Sequence, residues 1–243
     1  MSPGSSSWTP ARKAQRAPRV AIVVFPGSNC EQDVLRAFGC MGVRAEYVWH
    51  HATDLGGFDA VVLPGGFSYG DYLRTGAIAA FSPVTEAVRG FAAAGGLVLG
   101  ICNGFQILCE AGLLPGALRW NAGLKFICRP VTVRVETTDS PFTSAASPGQ
   151  GLEIPINHFQ GNYYCSPALL DELTAEDRIA FRYAANPNGS VSDIAGVLSA
   201  GRNVLGMMPH PERAVDPAVG GRDGRVILNS MLTALQSLEA GAR

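Results

Sequence analysis

The chain has 243 residues, 47% of them apolar and 16% charged, with a formal net charge of −1. That is enough apolar sequence for one substantial core, with neither the basic field that nucleic acid requires nor an acidic tail. Gly or Pro interrupts every long apolar stretch short of the roughly 20 residues a membrane span needs, so neither nucleic acid nor a membrane is an expected partner.

Residues 1–18 hold few apolar side chains to offset the entropy of ordering, and they lack the apolar segment of a secretory signal. They are expected to form a disordered extension of a cytoplasmic protein, with one domain over 19–243. Residues 20–25 are a continuous apolar run ending at Pro26–Gly27, the pattern of a strand buried on both faces and so of a parallel sheet. Apolar residues at helical spacing predict a helix over 31–41, stopped by Gly42. Strands follow at 45–49 and 59–63, then a helix over 84–94, a strand at 97–101 and a helix over 103–110. This alternation predicts an α/β fold with a mostly parallel central sheet and flanking helices. The second half reads as β-rich, with strands at 131–135, 179–183 and 204–208, and ends in an amphipathic helix over 226–238.

The six cysteines form no Cys-x-x-Cys pair, so they read as reduced thiols, most of them buried, with Cys40 and Cys109 in the core. Cys102 stands apart. In Gly100-Ile101-Cys102-Asn103-Gly104 it falls at a strand-to-helix junction with glycines two residues either side, the form of a nucleophile elbow. A helix N-terminus favours a thiolate. Cys30 is the rival nucleophile, since it too precedes a helix, but it lacks the second glycine. A thiolate needs a base and the base an orienting group. Of the four histidines, His50 and His51 read as solvated surface, whereas His210, in Met208-Pro209-His210-Pro211-Glu212, follows an apolar strand. On extended backbone Glu212 would face the same way and steady the imidazole. Gly65 and Gly66, after the strand at 59–63, offer backbone N–H groups for a developing oxyanion. All three parts fall at carboxyl ends of strands, where open α/β sheets place their sites. These residues by themselves also leave open a free-standing cysteine peptidase or γ-glutamyl hydrolase, or a non-catalytic α/β subunit.

With these elements the chain resembles the class I (triad) glutamine amidotransferases, whose fold is flavodoxin-like. FPGSNC at 25–30, LPGGFSYGDYLRTG at 63–76, ICNGFQILCEAGLLP at 101–115, NPNGS at 186–190 and GMMPHPER at 206–213 narrow the likeness. They resemble the glutaminase subunits of phosphoribosylformylglycinamidine synthase, of de novo purine biosynthesis. The resemblance implies that Cys102 attacks glutamine, that His210 and Glu212 complete a triad, and that Gly65, Gly66 and the Asn103 amide serve the oxyanion. Gln106 and His158 would line the glutamine pocket. It implies no cofactor in this chain: ATP and Mg²⁺ would lie on a separate large synthetase subunit that receives the ammonia, and it admits a third small subunit. At 158–161 the chain departs from the family's His-Gly-Glu-Gly, with Phe159 and Gln160 in place of the small and acidic residues.

Overall fold

The structure, a computed structural model, describes residues 17–241, with side chains through Ser237. The expected extension over 1–18 thus falls, as far as residue 16, outside the described residues. Eleven strands and five α-helices are built from the described residues. The strands are β1 (Arg19–Val24), β2 (Arg44–Trp49), β3 (Ala60–Leu63), β4 (Leu97–Ile101), β5 (Ala117–Arg119), β6 (Ile127–Val135), β7 (Gly151–His158), β8 (Asn162–Tyr164), β9 (Ile179–Tyr183), β10 (Ile194–Leu198) and β11 (Val204–Met207). The helices are α1 (Glu31–Cys40), α2 (Pro83–Ala93), α3 (Asn103–Glu110), α4 (Pro167–Ala175) and α5 (Gly224–Gly241).

Nine strands make one sheet in the order β2-β1-β3-β4-β11-β10-β9-β6-β7. From β2 to β11 every pairing is parallel, and from β11 to β7 every pairing is antiparallel. The expected parallel sheet is therefore the half made by the first 101 residues together with β11. The β-rich second half completes the sheet with hairpin-type pairings that need no crossover helix. Strands β3, β4, β10 and β11 are buried at every position, as apolar strands covered on both faces should be.

Three departures from the sequence reading have local causes. Helix α4 was not expected: Ser166 caps it through its Oγ, which accepts the Leu169 N–H, and Pro167 supplies the first helical φ. Strand β7 alternates buried Leu152, Ile154, Ile156 and His158 with exposed or half-buried residues, but Pro155 in its middle hides it from a propensity reading. Cys40 is exposed at the end of α1 instead of lying in the core, whereas Cys109, of intermediate exposure, packs against the core as expected. Among the described residues no helix is long and apolar enough to cross a membrane.

The parallel register sets the site. Leu63 pairs with Gly100, Gly100 with Gly206, and Ile101 with Met207. The segments leaving β3, β4 and β11 consequently emerge side by side at one end of the sheet, with Gly65, Cys102 and His210 on three neighbouring exits.

Candidate active site

Cys102 joins β4 to α3 with φ 51° and ψ −105°, a left-handed conformation that costs a non-glycine residue about 1–3 kcal/mol and persists only where its surroundings enforce it. The two glycines of the motif are the enforcement. A Cβ at Gly104 would lie 2.0 Å from the Leu63 carbonyl oxygen, and one at Gly100 would lie 2.4 Å from Leu108 Cδ1 and 2.8 Å from the Gly104 carbonyl oxygen. Only glycine lets α3 start this close to β3 and β4. The Cys102 N–H donates to the Met207 carbonyl at 2.8 Å, and the thiol sits 3.6 Å from the Asn157 carbonyl oxygen. The first N–H groups of α3 have no intrahelical acceptors and lie at the thiol.

His210 and Glu212 are almost fully buried, at 1% and 3% exposure, and Nδ1 of the ring lies 2.7 Å from Glu212 Oε1. The carboxylate accepts, so Nδ1 carries the proton and Nε2 is left for chemistry. The pair does not lie on extended backbone, as the sequence reading had it. Pro211, Glu212 and Arg213 form a short 3₁₀ turn behind His210. Proline at the first helical position fixes that turn and brings Glu212 back over the ring. Burial works against charge on His210, but the Glu212 carboxylate, then the Cys102 sulfur by charge and hydrogen bonding, outweigh it and push the pKa up to about 10. Nε2 nevertheless makes no complete hydrogen bond in this resting arrangement, so the thiol–imidazole contact is loose, as it often is without substrate.

Gly66 has φ +146°, and a Cβ there would lie 2.8 Å from Ser28 Cα and 2.9 Å from the Asn29 nitrogen. Gly65 is glycine for another reason, since a Cβ on it would stand 2.7 Å from His210 Cε1 and 3.5 Å from Cys102 Cβ. Gln106, inside α3, accepts from Asn103 Nδ2 at 2.9 Å through Oε1 and donates through Nε2 to the Gln160 carbonyl. Asn103 Oδ1 in turn accepts the Ser68 N–H at 3.1 Å. This chain of amides ties the loops at 67–75 and 158–161 to the helix that carries Cys102.

His158 is 3% exposed, its Nδ1 lies 3.0 Å from Asn121 Oδ1, and burial, aided by His210, lowers its pKa to about 4. It is a neutral imidazole in the pocket wall. Phe159 and Gln160 line the same pocket. All of Cys102, His210, Gly66, Gln106 and His158 open on one cavity of about 230 Å³, with room for a single amino acid. A larger groove of about 660 Å³, between Thr53 and Phe91, lies elsewhere and holds neither thiol nor histidine.

The sequence reading did not place Cys30 in this cavity, yet it lies there with Asn29, Asp71, Thr75 and Asn157. Burial, then the Glu212 charge, push the Cys30 thiol up to about 12, and Arg213 donates to its sulfur at 3.1 Å. The missed signal is the Pro26–Gly27 turn, where Gly27 at φ +89° brings the segment against Phe67. His50 is not mere solvated surface either, since its Nδ1 lies 2.9 Å from the Tyr69 hydroxyl.

A family model described as the CobB/CobQ-like glutamine amidotransferase domain matches residues 17–220, and this sets the class. The phosphoribosylformylglycinamidine synthase subunit PurQ of Koribacter versatilis is 56% identical over 227 residues, covering 89% of this chain and 98% of the relative. That of Thermus thermophilus is 59% identical over 213 residues, 85% of this chain and 94% of the relative. The chain belongs to this PurQ family of glutamine amidotransferase enzymes. A solved structure, PurLQS from Thermotoga maritima, contains a chain 45% identical with a TM-score of 0.85, covering 90% of this chain and 99% of that one. The glutaminase domain of Trypanosoma brucei CTPS, 14% identical with a TM-score of 0.57, shares the fold.

Proposed function

We propose that the chain hydrolyses the side-chain amide of glutamine through Cys102, His210 and Glu212, and delivers the ammonia to a separate synthetase subunit. The observation that carries this reading is the buried His210–Glu212 pair beside a thiol held at φ 51° in a cavity of amino-acid size. The Cys102 thiolate attacks the amide carbon, and the charge that builds on oxygen is met by the N–H groups of Gly66 and Asn103, with Gly65 leaving room for the ring. The imidazolium of His210 gives its Nε2 proton to the departing nitrogen, so ammonia leaves and a glutamyl thioester remains. His210 then takes a proton from water, the hydroxide attacks the thioester, and glutamate departs as the thiol is restored. Glu212 holds the proton on Nδ1 throughout and steadies the positive ring.

The relatives are subunits of phosphoribosylformylglycinamidine synthase, and the similar chain from Thermotoga maritima belongs to PurLQS. On that basis we assign the ammonia to a large synthetase subunit, which would hold ATP and Mg²⁺ and convert formylglycinamide ribonucleotide to its amidine in the cytoplasm. A third small subunit is compatible with the assembly.

The test is Cys102→Ala, assayed for glutamine hydrolysis with and without a synthetase subunit. Loss of turnover with an unchanged circular dichroism spectrum is expected, and the wild type should be slow alone and faster in the complex. Full activity in the variant would refute the triad. Rapid peptide cleavage by the isolated chain would favour a free-standing hydrolase.

A further inference from the structure

The mechanism leaves one carboxylate of the cavity unused. Asp71 lines the pocket that holds Cys102 and His210, and its Oδ1 is buried without a hydrogen-bond partner. Among the described residues no Lys or Arg lines the pocket. A carboxylate oxygen removed from water without a partner is costly, and proteins keep one where a ligand supplies the missing charge. Burial alone raises the Asp71 pKa to about 6.

Two neighbours in the same wall share this state: Thr75 Oγ1 and His158 Nε2 are also buried and unpartnered. Asn121 donates through Nδ2 to the His158 carbonyl at 3.0 Å and to the Lys125 carbonyl at 2.8 Å, so its Oδ1 is the acceptor facing His158 Nδ1. Nδ1 therefore carries the proton, and on a neutral ring Nε2 is an acceptor. The pocket wall thus presents the Asp71 carboxylate, the His158 lone pair and the Thr75 hydroxyl, while the cationic His210 ring in the same cavity is already paired with Glu212.

The backbone around Asp71 is strained to achieve this. Tyr69, Gly70, Asp71 and Leu73 have φ of 54°, 68°, 57° and 67°, and three of the four are not glycine. The loop is tied down on both sides of the strain. The Tyr69 hydroxyl lies 2.9 Å from both His50 Nδ1 and Ser82 Oγ, and the Ser68 N–H is held by Asn103. Backbone held in sparse regions by surrounding contacts is a mark of a functional loop.

We infer that Asp71 binds the α-ammonium group of the substrate amino acid and so makes the site select glutamine over amides that lack the amine. The inference rests on the glutaminase reading above. Four bonds separate the α-nitrogen of glutamine from the carbon that Cys102 attacks, a span that keeps both ends of the substrate inside one small cavity. Asp71 acts on binding and on selection, and takes no part in bond making or breaking.

The test uses the complex of this chain with its synthetase subunit, and compares kcat/KM for glutamine with that for glutaramate, which is glutamine without the α-amino group. Wild type should prefer glutamine by at least about 10²-fold, since sites built to bind a polar group reject analogues that lack it. Asp71→Asn should raise KM for glutamine about tenfold or more, leave turnover of glutaramate within about twofold, and so narrow the ratio. Thermal melting and the rate of Cys102 alkylation by neutral iodoacetamide report whether the variant site is intact. If Asp71→Asn does not fold, wild type still decides: equal use of glutamine and glutaramate overturns the inference, and a strong preference that Asp71→Glu weakens upholds it. An unchanged ratio in a folded Asp71→Asn overturns it as well. Should Cys102→Ser keep its activity, the glutaminase reading fails instead, and the two failures are told apart.

Discussion

The imidazole of His210 lies directly against the backbone of Gly65, where a Cβ would stand 2.7 Å from ring atom Cε1 and 3.0 Å from the Cys30 sulfur. Both neighbours are buried, so neither has open space to retreat into. Gly65→Ala should displace the ring from Cys102 and lower kcat for glutamine hydrolysis on the order of 10²-fold, the usual cost of misplacing a reacting group by about 1 Å. Steady-state kinetics in the complex would show it, with near-ultraviolet circular dichroism as a check on the fold. A wild-type kcat would mean that the ring yields freely.

A second prediction concerns the charge on that ring. Burial disfavours it, but Glu212 and then Cys102 outweigh burial and place the His210 pKa near 10. A folded-state value raised above the ordinary 6.5 stabilises the fold fully below about pH 6.5, and the contribution is lost as pH rises through about 10. Glu212→Gln removes the leading favourable partner. The stability difference between wild type and variant, from urea unfolding, should then be largest near pH 6 and shrink toward pH 10. The same variant should lose on the order of 10²- to 10⁴-fold in kcat, because the amide does not hold the charged ring. A stability difference independent of pH would contradict the assignment.

Most of this site was legible in the sequence because it is built from short local patterns. Gly100 and Gly104 announce the elbow at Cys102, and the structure gives each a steric reason within a few residues of chain or at the next strand. His210-Pro211-Glu212 was legible as a pair, although its backbone was not: Pro211 starts a 3₁₀ turn where an extended segment was expected. Asp71 and Thr75 escaped, as did the place of Cys30 beside Cys102, because their role depends on what surrounds them. A buried carboxylate and a solvated one look alike in sequence, and only the packing of the loop at 67–75 against α3 makes Asp71 unusual. The same holds for the fold. The parallel half could be read from continuous apolar strands, whereas β7 and β10 lie in the antiparallel half, where Pro155 and a bulge at Ala195 and Gly196 break the pattern.

The two thiols in the cavity should respond differently to alkylation. Cys30, at 2% exposure, is held as a thiol by burial and by the Glu212 charge, with a pKa pushed up to about 12. Only thiolates alkylate quickly. Iodoacetamide at pH 8, followed by peptide mass spectrometry, should modify Cys102 together with the exposed Cys40 and Cys128, and spare Cys30 until urea unfolds the chain. Cys30→Ser should lower kcat less than about tenfold, where Cys102→Ser abolishes turnover. Labelling of Cys30 as fast as that of Cys40 would make it a competing nucleophile.

The loop at 67–75 carries two tyrosines that the structure separates by role. Tyr69 is half-buried and its hydroxyl is shared with His50 and Ser82, whereas Tyr72 is 74% exposed beside Leu73, at 90%. Tyr69→Phe should therefore destabilise the chain by about 1 kcal/mol through the lost hydrogen bonds, and lower basal and stimulated glutaminase activity together as the strained loop loosens. Tyr72→Ala should change stability by no more than about 0.5 kcal/mol, since the side chain has little to lose on the free surface. If Tyr72 meets the synthetase, as its exposure next to the cavity suits it to do, the variant should need at least about fivefold more synthetase for half-maximal stimulation while its basal rate stays unchanged. Titration of each variant with the synthetase subunit, read by glutamine hydrolysis, separates the two roles. Equal losses of basal and stimulated activity in Tyr72→Ala would remove it from the interface and leave Tyr69 as the tyrosine that anchors the loop.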